Sequence, residues 1–291
     1  MGLLACYIAL RFVHFAALMA VFGCTVYSVL LAPGRLGDML ALRLEKVWRP
    51  AVWLSFISAI LLFGAQAGLM GDGWPDTVTP EIWRAVLGTQ FGAVWCWQLM
   101  LALVALGCVV VSPPKIQALL LALTSFQIIL LAGVGHATLH DGILGAIQRV
   151  NHAVHLLSAA FWAGGLIPLL ACMGMAHQAV WRQEATGTMM CFSRYGHLAV
   201  AAVILSGVVN SLLIVGWVFP LGSTYFRLLL LKIFLVAVMV FLALINRYWL
   251  VPRFNRSALA QQRFIQFTWL EMLLSVAVLL IVSLFATQEP F

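Results

Sequence analysis

His152 and His155 stand one helical turn apart in the stretch HAVHLLSAAFWAGG, residues 152 to 165. Neutral imidazole ligates copper, zinc, iron or nickel, and the surrounding run is apolar enough to enter a bilayer. Two rings on one helix face at such depth imply a metal, a haem, or a polar contact to a neighbouring helix. His14 sits similarly in RFVHFAALMAVFG, residues 11 to 23, while His136 and His140 lie in GHATLHDGILG, residues 135 to 145. Five of the seven histidines thus gather at one end of the molecule, with Asn151 and Asp141 near enough in sequence to set their tautomers. His140, in a loop beside Asp141, is the expected bystander.

A second collection lies at the opposite end. Cys172, Met173, Met175 and His177 close one apolar run, and Met189, Met190, Cys191 and His197 open the next. Thiolate and thioether would select Cu(I), although both residues are also ordinary membrane-core fillers. Lys232, Glu271, Asn210 and Asn246 are polar residues inside apolar runs, so they are expected to point inward, with Lys232 and Glu271 pairing with each other or with one of the asparagines.

The elements that position these residues follow from composition. Hydrophobic residues make up 64% of the 291 and charged ones 9%, far from the roughly one quarter charged in soluble domains. The expected fold is an all-α polytopic membrane protein, one membrane domain over 1–291. About 20 apolar residues cross the hydrocarbon core, which gives eight spans near 4–31, 51–70, 91–112, 116–135, 148–175, 195–218, 226–249 and 264–286. LLAC at 3–6 resembles a lipoprotein cleavage site, but the apolar run continues past it and reads as an uncleaved first helix. The six cysteines include no CxxC pair. The net charge of +7 reflects topology, not nucleic acid: eleven Lys and Arg fall at odd-numbered connections against five on the other side, which puts both termini outside.

The two halves, about 1–143 and 144–291, look alike. Histidine precedes glycine by the same interval in His14–Gly23 and His155–Gly164; Gly64, Gly73 and Trp74 match Gly207, Gly216 and Trp217; LGTQF before Gln98 matches LGSTY before Lys232. Four spans per half make the repeat parallel, its pseudo-twofold axis along the membrane normal. With the first and fifth helices at that axis, His14 and His155 are expected to face each other.

RFVHFAALMAVFG, GHA at 135–137, HAVHLLSAAFWAGG, SGVVNS at 206–211, FRLLLLKIFLVAVMV at 226–240 with NRY after it, and a glutamate in the last span together resemble the copper resistance protein D (CopD/PcoD) family, most strongly over about 148–286. The resemblance implies a multi-pass protein of the bacterial inner membrane, where termini that lie outside by the charge distribution are periplasmic. It implies movement of copper from periplasm towards cytoplasm, with His14, His136, His152 and His155 as metal ligands. It also implies a periplasmic copper-binding partner of the CopC type, expected as a separate protein because no such domain is fused here; the other contacts are membrane lipid. No phosphate-binding GxxxxGK[ST] motif is present, and the expected role is not enzymatic. Spacing alone leaves two alternatives open: a b-type haem electron carrier, since histidines on separate helices suit bis-imidazole ligation, and a structural subunit whose histidines only join helices.

Overall fold

The computed structural model describes residues 2–135, 140–217, 222–254, 257–285 and 287–288. Hydrocarbon offers no water to an unpaired backbone N–H or C=O, so each apolar run closes its own hydrogen bonds as a helix. Eight helices are long and apolar enough to cross a membrane: α1 (Leu3–Val26), α3 (Glu45–Met70), α5 (Gln90–Val111), α6 (Ile116–Leu130), α7 (Gly142–Ala176), α8 (Arg182–Val215), α9 (Thr224–Leu244) and α10 (Ala258–Phe285). Two short helices, α2 (Gly34–Arg43) and α4 (Pro80–Leu87), lie in the connections. An even number of crossings puts both ends of the chain on one side, called here the terminal side; the opposite side is the far side.

The expected spans are found, but α7 and α8 begin at Gly142 and Arg182 rather than near 148 and 195. Hydropathy registers only the apolar part of a helix, whereas its hydrogen bonds continue wherever side chains find partners. Gln148, where the apolar run begins, is buried and bonded back across the added turns of α7 to His140 (Oε1 to Nδ1, 2.8 Å). At 1.5 Å per residue α7 is about 52 Å long, well beyond a bilayer core of about 30 Å.

Polar side chains turn inward and large apolar ones outward. His14, Ser55, Ser58, Gln98, Thr124 and Glu271 are buried, while Ile57, Leu61, Phe126, Leu205, Phe234 and Leu273 are exposed on the perimeter, as a lipid-facing surface requires. α1 packs on α3, α6, α7 and α10, and α7 packs on α8, α6, α1 and α10. Exchanging α1 with α7, α3 with α8, α5 with α9 and α6 with α10 maps these pairings onto one another. One pairing has no counterpart of similar weight: α3 packs on α5, whereas α8 and α9 barely meet.

The centre of the bundle is the crossing of α1 and α7. A Cβ added at Gly23 would fall on the Gly164 carbonyl, and one added at Gly164 on the Met19 carbonyl, so the two backbones touch without side chains between them. Gly165, next along α7, gives its space to the Phe192 ring. Gly164→Val is therefore expected to destabilise the protein by on the order of 3 kcal/mol, the upper end for overpacking. Gly107→Ala, at a position with nothing within 4 Å, should be nearly neutral; thermal unfolding of the detergent-solubilised variants checks both.

Candidate functional site

His14 and Gly23 are nine residues apart, as are His155 and Gly164. At about 100° per residue that is roughly two and a half turns. The histidines therefore lie at equal heights on the terminal side of the crossing, each turned away from it. They do not meet ring to ring across the axis as the repeat suggested; each is anchored in its own half, and both are buried, at 1% and 8% exposure.

His14 Nδ1 lies 3.1 Å from the Ser55 carbonyl and 3.0 Å from Ser58 Oγ. The Ser58 hydroxyl donates to the Leu54 carbonyl, so both neighbours of Nδ1 are acceptors and the ring proton resides there. Nε2 then carries the lone pair, which accepts from Gln98 Nε2 at 3.0 Å. Both nitrogens are engaged, Trp95 covers the ring at 5.6 Å between centroids, and Gln98 Oε1 is buried without a hydrogen-bond partner.

His155 repeats half of this arrangement. Its Nδ1 lies 3.0 Å from Ser206 Oγ, whose hydroxyl donates to the Ala202 carbonyl, and the Val203 carbonyl also accepts from the ring. The carbonyl at i and hydroxyl at i+3 that hold His14 thus recur on α8, although Ser58 and Ser206 do not align when Gly64 is matched to Gly207. The proton is again on Nδ1 and the lone pair on Nε2. Here, among the described residues, no side chain donates to it; at the place matched to Gln98 stands Lys232, within electrostatic reach.

His152 takes the opposite tautomer. Asn151 Nδ2 donates to the Ser206 carbonyl and to Asn210 Oδ1, both at 2.9 Å, which turns the Asn210 amide so that its Nδ2 donates to His152 Nδ1 at 3.2 Å. The proton of His152 is therefore on Nε2. Its ring lies parallel to that of His155, 6.2 Å away. Asn210 belongs to this network and not to a pair with Lys232.

His14, His152, His155, Arg11 and Lys232 line one cavity of about 570 Å³ on the terminal side, together with the thioethers of Met19 and Met239. The two methionines were not singled out from sequence, because one more Met in an apolar run carries no signal; only the fold turns them inward. His136 lies outside the described residues. Trp162 lines this cavity and also a second one, of about 300 Å³, on the far side.

The far-side cavity holds the intramembrane carboxylate. Glu271, 3% exposed, accepts from Asn246 Nδ2 at 2.7 Å and from Trp162. The alternative pairing of Glu271 with Lys232 is not formed: Lys232 Nζ lies over the Phe285 ring, 5.7 Å from its centroid, because its helix presents it to the other cavity. The sulfur collection lies mostly in the apolar interior. Cys172, Met173 and Met175 are absorbed into the main apolar core, Cys191 packs on its edge, and His177 is exposed at the end of α7. Met189, Met190 and His197 do reach the far-side cavity, but His197 is held by the Ser193 carbonyl and Tyr248, and Met190 Sδ by Arg247. Among the described residues no three of His, Cys, Asp and Glu converge on a common point.

Residues 2–146 match the family model of the copper resistance protein D-like N-terminal domain, and residues 186–285 that of copper resistance protein D. The chain is 31% identical over 263 residues to copper resistance protein D of Pseudomonas syringae pv. tomato, covering 86% of this chain and 84% of that one. The chain belongs to the copper resistance protein D family. It is also 48% identical over 286 residues, 98% of each chain, to inner membrane protein YebZ of Escherichia coli (strain K12). No solved structure matches it. Within this copper resistance protein D family chain, His152, His155 and Trp162 fall between the two matched segments, on the helix that joins them.

Bis-imidazole ligation of a haem by His14 and His152 would require the Gln98 amide to leave His14 Nε2 and His152 to change tautomer. Nitrogen-15 NMR of histidine-labelled protein is expected to show Nδ1–H tautomers for His14 and His155 and Nε2–H for His152. Asn151→Leu, which frees the Asn210 amide, should alter the His152 signature and leave His14 unchanged.

Proposed function

We propose that this protein is a copper carrier of a bacterial inner membrane, not an enzyme, that accepts copper on the periplasmic side and passes it towards the cytoplasm. The observation that carries the reading is the His155 imidazole: serine and carbonyl acceptors hold its proton on Nδ1, and among the described residues no side chain donates to its Nε2 lone pair, in a cavity that Met19 and Met239 also line. A histidine whose other nitrogen is tied to an acceptor is the usual form of a metal ligand, and thioethers in the same cavity wall favour Cu(I). The name of the Pseudomonas relative and the family of both matched segments support copper as the cargo, and the name of the Escherichia coli relative supports the inner membrane.

In this reading the far side is cytoplasmic and both termini are periplasmic, which the excess of Lys and Arg at the far-side connections supports, and the histidine cavity faces incoming copper. A separate periplasmic copper-binding protein of the CopC type is the proposed donor. His14 acts second in this reading, because copper reaches its Nε2 only after the Gln98 amide withdraws, and His152 and His136 complete the mouth. Glu271 and Asn246, beyond Trp162, are the next acceptors on the path.

Cu(I) binding to purified protein and copper uptake into proteoliposomes test this. His155→Ala is expected to weaken binding at least about tenfold, the loss of roughly 1.4 kcal/mol. His14→Ala should have a smaller effect, and Gln98→Ala should strengthen binding by uncovering His14. Uptake and binding unchanged in His14→Ala and His155→Ala would reject the reading.

A further inference from the structure

The charge of the terminal-side cavity does not match a bare copper ion. Its candidate ligands, imidazole and thioether, are neutral, and none of its described lining residues is Asp or Glu. Two cations face it instead. Arg11 lies between the Tyr7 and Phe15 rings, at 5.8 and 5.7 Å, and its Nε is buried without a hydrogen-bond partner. Lys232 lies over Phe285 and within reach of His155. Among the described residues the one ion pair is Arg49–Glu45, at the far side, so neither cavity cation is paired with a described carboxylate.

A monovalent metal ion added beside two such cations would meet repulsion that a low-dielectric cavity screens poorly, and no ligand there supplies negative charge. Aromatic faces satisfy a cation only in part, and a guanidinium N–H left unbonded in a cavity wall is a donor waiting for an acceptor. An anion that enters with the metal offsets this charge. We propose that the cavity takes copper together with a monoanionic co-ligand, of which a halide is the simplest, bound to the metal and balanced by the two cations of the cavity wall, Arg11 and Lys232. This deepens the copper reading and rests on it: His155 supplies the metal ligand, and the two cations select a neutral copper–anion pair over the free ion.

The sign of the Lys232 effect separates the alternatives. If copper enters as a bare ion, Lys232→Gln relieves repulsion and tightens binding; if it enters with an anion, the same change weakens binding. The test is anaerobic Cu(I) titration of the full-length protein in detergent against a chromophoric competitor, with bromide or gluconate as the sole anion at equal ionic strength. X-ray absorption at the copper edge accompanies it. The expected results are tenfold or tighter binding in bromide at equal free Cu(I), a bromine neighbour in the wild-type copper shell, loss of both in Arg11→Gln and Lys232→Gln, and retention of both in Lys232→Arg.

A copper shell of nitrogen and sulfur alone in bromide, with Lys232→Gln binding as well as or better than wild type, overturns the proposal and leaves the copper reading standing. Absence of copper binding by the wild type in either anion overturns the copper reading itself. The wild-type absorption measurement needs no variant to fold. Glu289, a carboxylate near in sequence that lies outside the described residues, provides one further control. Glu289→Gln is expected to leave the bromide dependence unchanged, and a bromide dependence that arises only in that variant would make Glu289 the anion and overturn an exogenous one.

Discussion

The backbone contact of α1 with α7 at Gly23 and Gly164 is what the rest of the molecule depends on. In lipid no hydrophobic force presses two apolar helices together, so close association needs small residues that let the backbones approach. The crossing sets the heights of everything on both helices. Because the same interval separates each histidine from its glycine, His14 and His155 reach the same depth, and because that interval is a half-integral number of turns, each ring is delivered into its own half of the bundle. The result is one cavity with two differently prepared imidazoles in its wall, not a symmetric pair.

What makes them different is the demand for hydrogen-bond satisfaction where water is scarce. Each histidine donates through Nδ1 to a carbonyl and a serine of the adjacent helix, an arrangement that leaves the ring no choice of tautomer. The opposite nitrogen is where the halves part: the Gln98 amide closes His14, while Lys232 stands off from His155 and turns to Phe285. Two similar settings thus carry one nitrogen covered by an amide and one to which no described side chain donates. In the proposed transfer of copper, this gives the ion an entry point and a second position that an amide must vacate.

The cavities themselves come from a departure from the repeated packing. α3 closes on α5, but α8 and α9 stand apart, and both cavities lie along that separation, with Trp162 between them. The buried Glu271 on the far side bonds two neutral donors, Asn246 and Trp162, which places the intramembrane carboxylate and the intramembrane ammonium in different compartments. An ion moving between them leaves a histidine-lined space that holds two cations and no described carboxylate for one in which Glu271 accompanies Arg247.

The sequence by itself determined the eight helices, their common sidedness and the inward residues, because a helix long enough to cross a bilayer and a polar group forced away from lipid are consequences of the solvent and need no knowledge of neighbours. The equal spacing of His14 to Gly23 and His155 to Gly164 was legible for the same reason: it is a property of one helix at a time. What only the tertiary structure decided is how these helices are rotated and paired. It turned the two histidines away from each other, gave Glu271 to Asn246 and not to Lys232, packed Cys172, Met173 and Met175 into the apolar core, and brought Met19 and Met239 to the cavity. Each of those outcomes depends on which face of one helix meets which face of another, and in a chain that is 64% hydrophobic apolar residues on every face leave that choice to backbone contacts between residues far apart in sequence.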